Sequence, residues 1–187
     1  MRRRILLAVL MTTLCLLCAC GGKGNDPLQV PMDFRTALLG RGGCAFELEA
    51  RADTGELLWE LTLACELDPA GKGSVTVLAP ESIAGISAVT RDGGEDLCCE
   101  DLALGLGTLP GTELSPAQAP GRLARAWAKA WIASAGAEGK GVLACYEDGA
   151  LGVRTWFDAD GIPTPAERAV DGQVYYTVDI NNFKWKD

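Results

Sequence analysis

The chain contains no histidine. Missing with it is the one side chain that ordinarily titrates near neutrality, so Ser-His-Asp catalysis, Cys-His catalysis and His-ligated zinc are all excluded. An excess of positive charge is missing too. Beyond residue 19 there are 14 Lys and Arg against 25 Asp and Glu, a net charge of −11. That sign opposes a phosphate backbone and anionic headgroups, so nucleic acid is not an expected partner. Beyond Cys20 the cysteines are Cys44, Cys65, Cys98, Cys99 and Cys145, and no two of them have the C-x2-C spacing of a zinc knuckle. Neither a metal site nor a cofactor is expected. Their odd number leaves at least one without an intramolecular partner. Long apolar runs are also scarce: Ile5 to Cys18 is uncharged over 14 residues. As a helix it would reach roughly 21 Å, short of the roughly 30 Å hydrocarbon core, so a permanent span is not expected.

What the N-terminus does have is the three-part form of an export signal. Arg2, Arg3 and Arg4 precede the apolar run, and Leu17-Cys18-Ala19-Cys20 follows with small residues at the cut. This quartet resembles the lipobox of bacterial lipoproteins. The resemblance implies that residues 1–19 are removed and that Cys20 receives a diacylglyceryl thioether. Cys20 then anchors the chain to the cell membrane on its extracytoplasmic side. An ordinary secretory signal followed by a spare cysteine is the alternative. Residues 20–32, which include "GGKGNDPLQVP", read as a flexible tether, leaving 33–187 as one domain.

Turn signals punctuate that domain: Asp53-Thr54-Gly55, Asp92-Gly93-Gly94, Asp148-Gly149, Asp160-Gly161 and Asp171-Gly172. Asp and Gly tolerate the positive φ of tight hairpins, which favours antiparallel strands over βαβ units. Strands are expected at Ser74–Ala79, Ile86–Arg91, Asp96–Leu104, Gly141–Glu147, Leu151–Phe157, Ile162–Val170 and Gln173–Ile180, with a Gly-rich loop at Leu106–Leu114. In the first hairpin, a two-residue Thr54-Gly55 loop pairs Ala50 with Trp59, Leu48 with Leu61, Phe46 with Leu63 and Cys44 with Cys65. One face is then apolar and the other carries Glu47, Glu49, Arg51, Glu60 and Thr62. Two readings of the Cys44 and Cys65 pair stay open: a cross-strand disulfide, or two small buried thiols packing as apolar groups.

One segment breaks the β pattern. "SPAQAPGRLARAWAKAWIASAG" reads as a helix from Pro120 to Gly136, with Leu123, Trp127, Ala130 and Trp131 along one stripe. That ridge is expected to lie on the apolar sheet face bearing Phe46, Leu48, Trp59, Leu61 and Leu63. Candidate catalytic groups are absent from this arrangement. Glu47, Glu49 and Glu60 share the solvated face, and Cys98 and Cys99 point to opposite faces of one strand.

With the lipobox and tether in front, the segments "VTVLAPESIAGISAVTRDGG", "SPAQAP" and "WFDADGIPTPAERAVDGQVYYTVDINNF" follow in the order of a known group. The most telling pieces are Pro80-Glu81-Ser82-Ile83 with Gly85-Ile86, and Trp156 to Pro163 closing with Asn181-Asn182-Phe183. Residues 33 to 185 resemble the outer-membrane lipoprotein carrier (LolA-like) superfamily, in particular its anchored Gram-positive lipoproteins. The resemblance implies an α+β fold, a curved antiparallel half-barrel whose concave face is covered by helices. It also implies an apolar cavity for a lipid or acyl chain, here lined by Phe46, Leu48, Trp59, Leu61, Leu63, Leu123, Trp127 and Trp131. An anchored molecule cannot shuttle lipoproteins, so a non-catalytic role is expected: holding an apolar ligand, or holding a partner protein of the envelope as a scaffold. If Cys20 is the anchor, Cys20→Ala moves the chain from the detergent phase to the aqueous phase in a detergent-partition assay; a variant that stays with the membranes contradicts the anchor.

Overall fold

The computed structural model describes residues 26–53, 58–90, 96–99, 102–105, 118–148, 151–170 and 173–186. The export signal, Cys20 and the Gly-rich loop expected at 106–114 lie outside these residues. The first element is a helix, α1 (Gln29–Gly40), which buries Pro31, Phe34 and Leu38 at helical spacing. It takes up the last residues of the expected tether, so nothing from Gln29 onward serves as a linker. There follow β1 (Cys44–Asp53), β2 (Leu58–Leu67), β3 (Gly73–Ala79), a single 3-10 turn at Glu81–Ile83 where the sequence has Pro80 leading in, and β4 (Ser87–Thr90). A small separate hairpin joins β5 (Asp96–Cys99) to β6 (Leu102–Gly105), where one longer strand was expected. After it come α2 (Ala119–Lys129), β7 (Trp131–Glu138), β8 (Gly141–Asp148), β9 (Leu151–Phe157), β10 (Pro163–Val170) and β11 (Gln173–Trp185).

Nine strands form one sheet in the order β4-β3-β2-β1-β11-β10-β9-β8-β7, and every pairing is antiparallel. The sheet is strongly curved, as a simple length comparison requires. Helix α2 touches both β2 and β8, which lie five strand spacings apart in that order. On a flat sheet the separation would be about 24 Å, whereas a helix with its side chains is about 10–12 Å across. The sheet must wrap around the helix, and its end strands β4 and β7 do not meet. This is the α+β half-barrel with a helix-covered concave face that the resemblance implies.

Register explains how the concave face is built. One inward row runs Leu61, Ala50, Val178, Ala166, Thr155, Ala144 across six strands. The next inward row on one side runs Tyr176, Arg168, Val153, Tyr146 across β11 to β8. In the first row two alanines flank Thr155, leaving room above it for a large ring. The Trp127 indole of α2 takes that place and donates a 2.9 Å hydrogen bond from Nε1 to Thr155 Oγ1. Its ring lies edge-on to Phe34 of α1 at 5.5 Å and against Phe46 of β1 at 5.9 Å. Phe34 in turn packs on Phe157, Phe183 and Trp185. The two helices are also joined by polar bonds: Arg35 donates to the carbonyls of Trp127 at 2.7 Å and Ala130 at 2.6 Å. This satisfies carbonyls at the helix C-terminus and places a cation at its negative end. At the other end of α2, backbone glycine Gly71 in the β2–β3 turn sits at φ 78° so close to the Gly121 carbonyl that no side chain fits between them.

Two further expectations differ from the structure. In the first hairpin Cys44 pairs with Leu67, Phe46 with Cys65, Leu48 with Leu63 and Ala50 with Leu61. The connection is thus longer than the two residues assumed. The slip is by two positions, so each side chain keeps its face while every partner changes, and apolar patterning cannot detect it. The helix is shorter than expected. Ala130 already has an extended conformation (φ −66°, ψ 154°), and the "WIASAG" stretch pairs with β8 as a strand. Cross-strand pairing and the Arg35 cap outweigh the helix preference of its alanines. Trp131 therefore does not belong to the helical ridge.

Removing the indole should cost stability in a recognisable pattern. Trp127→Ala is expected to destabilise by about 3–5 kcal/mol, read as a lower urea midpoint. Trp127→Phe leaves the Thr155 hydroxyl buried without its donor. Adding Thr155→Val to that variant should recover part of the loss, because both polar partners are then gone.

Candidate functional site

The residues expected to line a cavity fall into three groups. Phe46, Leu48, Leu63, Leu123 and Trp127 are buried together in the core, and Leu61 packs against its rim. Trp127 is 0% exposed. Over Thr155, the space between α2 and the sheet is occupied by that indole and by Phe34 of α1. Trp59 lies in β2 opposite Ala52, with its side chain outside the described residues. Trp131 stands apart, 73% exposed at the first position of β7.

Cys44 and Cys65 are free, buried thiols on the inner face, diagonal to one another rather than opposed. Burial pushes the Cys44 thiol up to about 12, with Lys186 opposing. Cys65 is pushed further, again by burial, with Cys44 adding to it. Thiols held protonated this firmly are poor nucleophiles and poor metal ligands. Cys145 is free and half-buried, and the side chains of Cys98 and Cys99 lie outside the described residues. Among the described residues no three of Cys, Asp or Glu come together in a way that could hold a metal ion. The acidic residues of β1 and β2 occupy the outer face: Arg51 Nε lies 3.6 Å from Glu60 Oε1, and Asn181 donates to Glu49 at 3.4 Å.

The outer rim offers a different kind of surface. Strand β7 closes one end of the sheet order, so one side of its backbone has no strand partner among the described residues. Over its eight residues only Ile132 and Ala135 are half-buried and the rest are exposed. Between Trp131 and Ala137 it carries no charge and no proline, the usual protections of an edge strand. The opposite edge, β4, has four residues and lies against the β5–β6 hairpin. Among the described residues no helix is long and apolar enough to cross a membrane.

No protein-family model matches the chain. No curated protein matches it either. Among solved structures, the chain is similar to a LolA superfamily protein from Nitrosomonas europaea, at 11% identity and a TM-score of 0.44, covering 87% of this chain and 94% of that one. It is similar to a candidate outer membrane lipoprotein-sorting protein domain from Vibrio parahaemolyticus, at 11% identity and a TM-score of 0.45, covering 86% and 92%. A third similar structure is the MucA/MucB complex of Pseudomonas aeruginosa, at 13% identity and a TM-score of 0.43. That match covers 83% of this chain and 56% of the other.

The two buried thiols impose a pH dependence on folding. An unfolded thiol ionises near pH 8.5, whereas the folded ones stay protonated to about 12 or beyond, so the unfolded state releases protons first. Their contribution is complete well below about pH 8.5 and declines above it, the slope approaching about 1.4 kcal/mol per pH unit per thiol once the unfolded thiol is ionised. Urea unfolding between about pH 8 and 10 should show the decline in the native chain and a shallower one in the Cys44→Ala/Cys65→Ala double variant.

Proposed function

We propose that the chain is an anchored, extracytoplasmic lipoprotein of the LolA-like kind, held at the cell membrane by lipidated Cys20, whose half-barrel domain holds a partner protein of the envelope and catalyses nothing. The observation that carries this reading is the bare edge of β7. A partner's extended segment can add to it as a further strand. Main-chain bonds supply affinity, and exposed Trp131 offers an apolar anchor at the strand's start. The occupant it suits is a β-prone segment with an apolar side chain opposite Trp131, uncharged or basic in keeping with this acidic chain. The concave face is filled where the apolar residues gather, and the space left beside α2 is small and lined by arginines, which favours a partner over an acyl ligand. An acyl chain gains roughly 0.8 kcal/mol per buried methylene only where a void exists, and here Trp127 and Phe34 occupy that place.

A photo-crosslinking residue placed at Ser134 in whole cells should yield a protein adduct that the same residue at Thr177, exposed in the middle of the sheet, does not. Ser134→Lys should abolish the adduct formed from a crosslinker at Ala133 while leaving the urea midpoint unchanged, since a lysine on an edge repels strand addition. Equal labelling at both positions contradicts edge docking. Recovery of about one fatty acyl chain per protein, beyond the anchor, from extracted material would favour the ligand reading instead.

A further inference from the structure

The second inward row contains a buried arginine that has no counter-charge among the described residues. Arg168 of β10 is 2% exposed, yet it forms no ion pair with any described residue. Its Nε and Nη2 have no hydrogen-bond partner, and neither do the hydroxyls of Tyr146 and Tyr176 in the same row. Arg168 lies beside the Tyr176 hydroxyl and opposes the upward push that burial gives this phenol, but no formed hydrogen bond joins them. Leaving one charge buried and unpaired ordinarily costs several kcal/mol, and each orphaned donor adds about 1–3 kcal/mol. Such a cluster calls for a ligand.

The cluster opens into a cavity of about 200 Å³ between α2 and the sheet. Arg122 and Arg125 close it from the helix, Arg168 and Tyr146 from the strands, with Val153 and two alanines between. Arg122 is steadied by Gln118 Oε1, which accepts from Nε at 3.3 Å and from Nη2 at 3.1 Å. A fourth cation, Arg35, sits over the Tyr146 ring at 5.9 Å while its nitrogens hold the end of α2. Among the described residues every charged side chain lining the cavity is an arginine, in a chain whose formal net charge is −8. The volume is below the roughly 300–1,000 Å³ of sites for drug-sized ligands, which limits the occupant to a small group.

We propose that this cavity binds a phosphate group, either as inorganic phosphate or as the exposed headgroup of a phospholipid, with Arg168 as its buried counter-charge and Tyr146 as a hydroxyl donor. Donors arriving from helix and sheet reach several oxygens at once, which suits a tetrahedral dianion better than a planar carboxylate. The cavity adjoins the start of β7, where Tyr146 pairs with Ile132, but the proposal rests on its own cluster of arginines and tyrosines and not on that edge.

The test uses the full chain purified in detergent. Thermal unfolding is followed in sodium phosphate and in sodium chloride or sodium acetate at matched ionic strength, and pull-down is measured with vesicles containing phosphatidic acid or only phosphatidylcholine. A rise in midpoint specific to phosphate assigns the free ion, and capture specific to phosphatidic acid assigns the headgroup; either supports the site. Arg168→Met should abolish that response and, lacking a buried charge, should be no less stable than the native chain in chloride. Tyr146→Phe, which keeps the ring, should weaken the response about tenfold. The proposal fails if neither phosphate nor phosphatidic acid gives a specific response, or if the response survives Arg168→Met.

Discussion

The half-barrel depends on one buried indole. Trp127 must fill the hollow left by Ala144 and Ala166 and reach Thr155, and a sheet that did not curl could not bring β1 and β9 to the same ring. Curvature, the two helices and the aromatic cluster around Phe34 are therefore a single packing solution. Arg35 completes it by fastening α1 to the last carbonyls of α2, so neither helix is held by apolar contact alone.

Much of this was legible in the chain and some was not. The alternation of β1 gave the correct inner face because side-chain period and sheet pleat are both two; the partner of each residue was not legible, because a slip of two leaves that alternation untouched. Trp127 was assigned to its ridge and stays there, whereas Trp131 was added because alanine-rich sequence tolerates both helix and strand, and only pairing with β8 decides. Helix α1 was hidden by Pro31, which reads as a breaker but sits in the first turn, where its missing donor costs nothing. Arg168 could have been noticed: in "PTPAERAV" it falls on the same parity as inward Ala166, an arginine in an apolar slot.

The domain's surfaces differ in character. The outer face of β1 and β2 carries solvated acids, and the inner face is packed for stability except where the tyrosine and arginine row interrupts it. The rim at β7 is the one long edge the fold leaves uncovered among the described residues.

The sheet is centred on the pairing of β1 with β11, in which Cys44 meets Trp185 and Leu48 meets Ile180. The strands adjacent at the middle of the structure are thus the first and last to be made. Contacts so distant along the chain close slowly, and here the central seam cannot zip until the final strand has been delivered. A chain emerging N-terminus first would therefore hold β1 without its central partner until its last residues appear.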